Sequence, residues 1–123
     1  MIIRDTVFSV RGLLHTAATC RNTVSFPQLF GEFRKNVNPN DVYDTLEAAS
    51  VELADWKVAI YSVLLAKANT RLPGDGFFDI FRLHRDEDYR RIAGNTHVHA
   101  LSHKQRCEMV DIERPRVYAH VET

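Results

Sequence analysis

Apolar residues recur with helical spacing at the start of the chain. Between Asp5 and Arg21 they fall at every third or fourth position, the period of an α-helix that buries one face. These positions are Val7, Val10, Leu13, Leu14, Ala17 and Ala18. We therefore predict a first helix over 5–21, with Asp5 or Thr6 as its N-cap.

Two proline-containing segments predict the starts of two further helices. Ser25 stands before Phe26-Pro27, so a serine N-cap with proline in the first turn predicts a short helix through Phe33. Asn38-Pro39 repeats this arrangement and predicts a third helix over 39–55. The third helix carries one apolar stripe, which indicates the face that it buries. The stripe consists of Val42, Leu46, Ala49 and Leu53.

The middle of the chain holds the longest apolar run, Val58 to Ala68, which ends close to a rigid turn, Leu72-Pro73-Gly74-Asp75-Gly76-Phe77. A strand buried on both faces and a buried helix both agree with this run. We favour the strand because the proline and glycine turn follows closely. The aromatic residues after the turn are consistent with a returning strand or a short helix.

Three further elements are predicted in the last third of the chain. The charged segment 85–92 indicates a surface helix, and 97–101 indicates a short edge strand. Ser102 with Gln105 three residues later matches a capping box and predicts a last helix to Val121. Pro115 lies inside that helix, so a kink or a split is expected there.

These elements together predict an α+β fold: a mainly helical single domain over 1–123 with a small two- to three-stranded sheet. Three helices followed by a strand and a tight loop predict a winged-helix-like arrangement. The predicted core consists of Leu13, Leu14, Phe26, Leu29, Phe33, Val42, Leu46, Leu53, Ile60, Val63, Leu65, Phe77, Phe81, Ile92 and Val110.

Two short motifs resemble those of small uncharacterised bacterial or phage proteins of winged-helix-like type. One is the Leu-Pro-Gly-x-Gly-Phe turn after an apolar strand, here Leu72 to Phe77, and the other is Val117-Tyr118-Ala119 near the end of a helix. The resemblance covers about half of the chain. It implies a fold and brings no known activity with it.

Composition narrows the class of protein. The 123 residues are 45% hydrophobic and 26% charged, which agrees with one soluble globular domain. No apolar run approaches the ~20 residues that span a bilayer, and the N-terminus does not resemble a signal peptide. Two distant cysteines, Cys20 and Cys107, indicate reduced thiols. We therefore expect a cytoplasmic protein without a cofactor.

The charge pattern disfavours nucleic acid as the partner. Lys and Arg together balance Asp and Glu at 16 each, whereas many nucleic-acid-binding domains are basic. In a winged helix the 39–55 helix would enter the major groove, yet between Asp41 and Asp55 it carries five acids and no Lys or Arg. A DNA-binding regulator that uses its loop and the basic residues Arg34, Lys35, Lys67 and Arg71 stays open as the alternative.

We favour a non-enzymatic interaction or regulatory protein that binds a partner through the acidic helix face over 41–55 and the rigid loop over 70–78. An acidic helix face suits a basic patch on a partner. The partner is another protein or a second copy of this chain, since small domains often form symmetric dimers. Trp56 at the end of the acidic face is a possible anchor. The candidate partner-binding residues are Asp41, Asp44, Glu47, Glu52, Asp55, Trp56, Arg71 and Asp75.

Metal and catalytic chemistry are weaker alternatives. His97, His99, His103 and Cys107 have the right chemistry for zinc, but their spacing matches no common zinc signature. A cysteine with a histidine would make a nucleophile pair, but neither Cys20 nor Cys107 stands in a recognisable catalytic motif. The glycine turn at 74–76 lacks the pattern and the lysine of a phosphate-binding loop. The sequence therefore predicts no catalytic and no metal site.

Overall fold

The computed structural model describes all 123 residues and is mostly helical, with a single small sheet. Six α-helices, two short 3-10 helices and two short strands follow one another along the chain. In order they are α1 (Arg4–Thr19), β1 (Val24–Ser25), α2 (Phe26–Phe30), α3 (Pro39–Leu53), a first 3-10 helix (Tyr61–Leu64), β2 (Leu65–Ala66), α4 (Asp75–His84), α5 (Asp86–Ala93), a second 3-10 helix (Val98–Ala100) and α6 (His103–Val121). None of the helices has the length and the apolar character to cross a membrane.

Local capping fixes the starts of three helices as predicted. The Ser25 hydroxyl accepts from the Gln28 amide at 3.1 Å, and the Gln28 side chain accepts from the Ser25 amide at 2.8 Å. Ser102 and Gln105 form the same reciprocal pair at the start of α6. The Asn38 side chain accepts from the Asn40 amide at 2.9 Å, and Pro39 opens α3. Each cap satisfies amides that the first helical turn leaves unbonded.

The start of α1 differs from the prediction. Helix α1 begins at Arg4, so the predicted caps Asp5 and Thr6 both lie inside its first turn, and no side chain caps it. The Ile3 amide instead donates to the Thr45 hydroxyl of α3 at 2.9 Å. This contact joins the start of α1 to α3 and leaves the amides of the first helical turn without a side-chain cap.

The sheet consists of one parallel pair. Val24 of β1 lies opposite Leu65 of β2, and Ser25 lies opposite Ala66. This agrees with a mainly helical α+β fold that has a two-stranded sheet. The wing of a winged helix is an antiparallel hairpin, so a parallel pair does not confirm the winged-helix-like arrangement, which stays a prediction.

The predicted strand over the apolar run is wrong for most of its length. Residues 61–64 form a 3-10 helix, and only Leu65 and Ala66 pair with another strand. Some backbone groups of this buried segment bond to side chains of other helices rather than to a neighbouring strand. The Ser62 amide donates to the Ser50 hydroxyl at 3.2 Å, and the Arg114 guanidinium donates to the carbonyl of Val63 at 3.0 Å.

The rest of the C-terminal half is helical. The charged helix predicted at 85–92 is confirmed as α5, whereas the predicted edge strand at 97–101 is wrong because Val98–Ala100 form a 3-10 helix. Helix α6 continues through Pro115, so the predicted split does not occur. Proline removes the hydrogen bond to the carbonyl four residues earlier, and both Pro115 and Asp111 are exposed residues.

One hydrophobic core joins α1, α3, α4, α6 and the first 3-10 helix. Ten of the fifteen predicted core residues are buried. The remaining five are half-buried and pack against the core: Leu13, Phe26, Phe33, Leu53 and Ile92. The core also encloses large side chains that the prediction did not include, among them Tyr61, Phe78 and Tyr89.

A buried ion pair lies inside this core. Glu113 of α6 is fully buried, and Arg85, between α4 and α5, is 8% exposed. The two side chains form a two-pronged contact, with Nε to Oε1 at 3.0 Å and one terminal nitrogen to Oε2 at 3.2 Å. The Ile60 amide also donates to Glu113 Oε2 at 3.0 Å. One carboxylate thus joins the α4–α5 junction, α6 and the start of the 3-10 segment.

We expect Glu113→Ala to lower the free energy of unfolding by about 3–5 kcal/mol, because it leaves the Arg85 charge buried without a partner. Chemical denaturation measures this loss. Glu122→Ala is the matched control, since Glu122 pairs with Arg21 at 2.9 Å on the surface, and it should change stability by less than about 1 kcal/mol. Equal effects of the two substitutions would contradict the structural role of the buried pair.

Candidate binding cleft between α3 and α4

The acids of α3 do not form a uniform free surface. Asp41 and Asp44 both contact the Met1 amine, at 2.8 and 2.5 Å. These carboxylates raise the pKa of that amine above its usual value, chiefly through their hydrogen bonds. Glu52 pairs with Arg11 of α1 at 3.0 Å. Three of the five predicted acids therefore have positively charged partners within the chain.

Two further predicted binding residues, Asp55 and Trp56, follow the end of α3. The Asp55 carboxylate accepts from the Lys57 amide at 2.8 Å and holds the turn after the helix. Trp56 is half-buried, and its ring lies 5.6 Å from that of His84. The Trp56 Nε1 atom is buried and has no partner among the protein's own groups. Trp56 borders an open depression of about 660 Å³ beside the N-terminus.

Two arginines of α6 hold the segment that leads into α4. Arg106 pairs with Asp75 at 3.2 Å, donates to the Val98 carbonyl at 3.1 Å and lies over the Phe78 ring. Arg114 donates to the Arg71 carbonyl at 2.8 Å and thereby holds the loop before the turn. Asp75, the first residue of α4, therefore serves an interhelical contact. Arg71 is exposed and has a backbone φ of +64°.

The two segments predicted to bind a partner meet at a cleft of about 310 Å³. Helix α3 contributes one wall, and the first residues of α4 form the opposite wall. An ideal Cβ at Gly76 would lie 3.6 Å from Glu47 Oε2, which shows how closely the two walls approach. The lining residues are Phe26, Tyr43, Leu46, Glu47, Ser62, Leu65, Lys67, Gly74, Asp75, Gly76 and Phe77.

Among the predicted acids of α3, Glu47 is the one that lines this cleft. The residue is half-buried, but its Oε1 atom is inaccessible and has no hydrogen-bond partner within the protein. Burial raises the pKa of this carboxyl from 4.5 to about 7, and the neighbouring Ser62 hydroxyl acts in the opposite direction. Near neutral pH Glu47 is therefore distributed between its charged and its neutral form.

Ser62 supplies a second buried polar group at the cleft. The residue is 2% exposed, and its hydroxyl oxygen has no partner within the protein. Glu47 and Ser62 line the same cleft, although the geometry does not complete a hydrogen bond between them. Buried polar groups in proteins nearly always have partners, so two neighbouring exceptions are a feature that requires an explanation.

Several residues of the cleft were not predicted from the sequence. Ser62 lies in the apolar run, and no local signal distinguishes it from other buried serines. Phe26 and Tyr43 approach each other only because α2 packs beside α3, where their ring centroids are 6.4 Å apart. The sequence places Lys67 among the basic residues of a DNA-binding alternative. Its position beside the cleft depends on the parallel strand pair, which ends at the preceding residue.

The histidine and cysteine candidates separate into two pairs. The rings of His97 and His99 stack with centroids 5.0 Å apart, and Cys107 Sγ lies 3.4 Å from His103 Nε2. No group of three or more His, Cys, Asp or Glu side chains converges to hold a metal ion. The candidate zinc ligands therefore form two separate pairs, and the four side chains do not meet at one site.

The catalytic candidates lie away from the cleft. Cys20 is exposed at the end of α1, Cys107 is half-buried on α6, and neither is in a disulfide. Neither cysteine side chain lines the cleft between α3 and α4.

Comparison with known proteins gives no relative of this chain. No protein-family model matches it, no curated protein is similar to it, and no solved structure resembles it.

The buried Glu47 carboxyl has a direct consequence for the pH dependence of stability. Its folded-state pKa of about 7 exceeds the unfolded value of 4.5. Between these values the unfolded chain loses the proton first, so rising pH destabilises the fold, by up to about 3 kcal/mol in total. The effect is absent below the lower value and constant above the upper one.

We therefore expect Glu47→Gln to become more stable relative to the native chain as pH rises from 4.5 to about 8. Urea unfolding of both proteins across this range measures the difference, and the comparison cancels the titration of the histidines. A difference in unfolding free energy that stays constant with pH would show that Glu47 titrates normally.

Proposed function

We propose that this chain is a small non-enzymatic interaction or regulatory protein that binds a protein partner at the cleft between α3 and the 72–78 segment. The observation that carries the proposal is the pair of buried polar atoms there, Glu47 Oε1 and Ser62 Oγ, which have no partners within the fold. A buried polar group without a partner costs about 1–3 kcal/mol. A bound group that supplies those hydrogen bonds would recover this energy.

The surroundings of the cleft support a macromolecular partner. Tyr43 is 37% exposed beside the cleft, and aromatic residues are enriched where proteins meet. The adjacent acids Asp41 and Asp44 would favour a partner with a basic surface. A second copy of this chain remains one candidate partner, because Arg34 and Lys35 are exposed basic residues.

A DNA-binding regulator with a winged-helix-like arrangement is the second candidate. The observation in its favour is that four basic residues are exposed and pair with no carboxylate: Arg34, Lys35, Lys67 and Arg71. Against it, the polar side of α3 is acidic, and the net charge is zero. A DNA complex would weaken steeply with added salt, because phosphate neutralisation releases counterions.

We expect Gly76→Leu to abolish partner binding without unfolding the protein. Gly76 is the second residue of α4, and a larger side chain there would enter the cleft beside the Glu47 carboxyl. Immobilised protein is exposed to an extract of its natural host, and retained proteins are quantified by mass spectrometry. Light scattering of the purified protein detects self-association in parallel.

Gly12→Leu is the matched control, because Gly12 lies on the exposed side of α1 and an added Cβ would meet nothing within 4 Å. A partner retained by the native chain and by Gly12→Leu, but lost by Gly76→Leu, supports the proposal. The same partners on all three proteins would place binding elsewhere. Retention of nothing on any of them, together with a monomeric mass, would contradict the proposal.

A further inference from the structure

Two buried polar groups, a carboxylate and a hydroxyl, belong to residues that line the cleft together with three aromatic side chains. Glu47 Oε1 and Ser62 Oγ are both buried and unpartnered within the protein. Phe26, Tyr43 and Phe77 supply the aromatic lining. Phe77 is 2% exposed, so its ring is a fixed part of the wall. Together these side chains determine which kind of chemical group the cleft would bind.

We infer that the cleft binds the cationic side chain of an arginine or lysine from a protein partner, with Glu47 as its counter-ion and Ser62 as a second acceptor. This inference rests on the proposed function, because it names the chemical group by which the partner enters the cleft. The site then recognises a basic side chain rather than a basic surface in general.

The donor and acceptor inventory favours a cation. A guanidinium or an ammonium group carries only donors, so it gives partners to both the carboxylate and the hydroxyl oxygen. Charge-assisted hydrogen bonds of this kind are shorter and stronger than neutral ones. The alkyl stem of either side chain would lie along the apolar lining, and the aromatic faces attract the charge itself.

The size of the cleft agrees with a single long side chain. Its volume of about 310 Å³ is at the lower end of the range for ligand pockets, about 300–1,000 Å³. One arginine or lysine side chain is compatible with that space.

The charged groups around the cleft act in opposite directions. Lys67 and the N-terminus of α4 favour an anion, whereas Glu47 and Asp75 favour a cation. Lys67 is exposed, and Asp75 stands in the first turn of α4, where a carboxylate offsets the helix dipole. An anion entering the cleft would also meet the Glu47 carboxyl, which lines it. The buried groups therefore favour the cation.

The first test compares N-acetyl-argininamide with N-acetyl-citrullinamide, its neutral counterpart of similar shape. Amide chemical-shift changes in an NMR titration report both the affinity and the place of binding. We expect the arginine probe to shift resonances of Tyr43, Glu47, Ser62 and Gly76, and to bind about tenfold or more tightly than the citrulline probe. Inorganic phosphate serves as the anionic probe.

The second test uses three variants. Glu47→Gln keeps the shape of the side chain but removes its charge, and it should weaken the arginine probe about tenfold or more. Ser62→Ala should weaken it by a smaller factor, because a neutral acceptor is lost. Lys67→Ala should strengthen binding about twofold at low salt, because it removes a repulsive exposed charge. Amide spectra confirm that each variant is folded.

The outcomes are distinct. Preference for the arginine probe, lost in Glu47→Gln, supports the inference. Equal binding of both organic probes, tighter binding of phosphate, or weaker arginine binding in Lys67→Ala would overturn it. Absence of binding by every probe would also overturn it. In that case a protein partner still lost by Gly76→Leu would leave the proposed function standing with a different group in the cleft.

Discussion

The buried contact between Arg85 and Glu113 is the constraint that holds the α4–α5 junction and the first 3-10 segment against α6. A fully buried carboxylate is tolerated only when donors surround it, and here Arg85 and the Ile60 amide supply them. These donors come from the α4–α5 junction and from the segment before the first 3-10 helix. Satisfying one charge therefore fixes the position of both elements against α6.

The cleft is a consequence of this arrangement. Ser62 lies two residues after Ile60, and α4 ends at the residue before Arg85. Arg106 and Arg114 add further contacts from α6 to the segment that opens α4. With α4 and the 3-10 segment held in this way, Glu47 of α3 lies beside Ser62 and Gly76. The desolvation of its carboxyl thus follows from contacts made elsewhere in the fold.

The sequence predicted correctly the features that depend on residues close in the chain. Its predictions failed where residues distant in the chain determine the local structure. The Ser25, Asn38 and Ser102 caps were confirmed, because each cap bonds an amide two or three residues away. The apolar run is predicted as a strand because the proline and glycine turn follows closely. Its composition does not reveal that side chains of α3 and α6 bond its backbone. The partners of the buried ion pair are 28 residues apart, and Arg85 stands in a charged run typical of a surface.

The candidate site was predicted in part. The 41–55 helix and the 70–78 loop were both named, but nothing local indicated that Glu47 would differ from the other acids. The most direct test is a carbon-detected NMR titration of the Glu47 side-chain carboxyl, with and without N-acetyl-argininamide. The account predicts a midpoint near pH 7 that falls when the probe is bound. A midpoint near 4.5, unchanged by the probe, would contradict it.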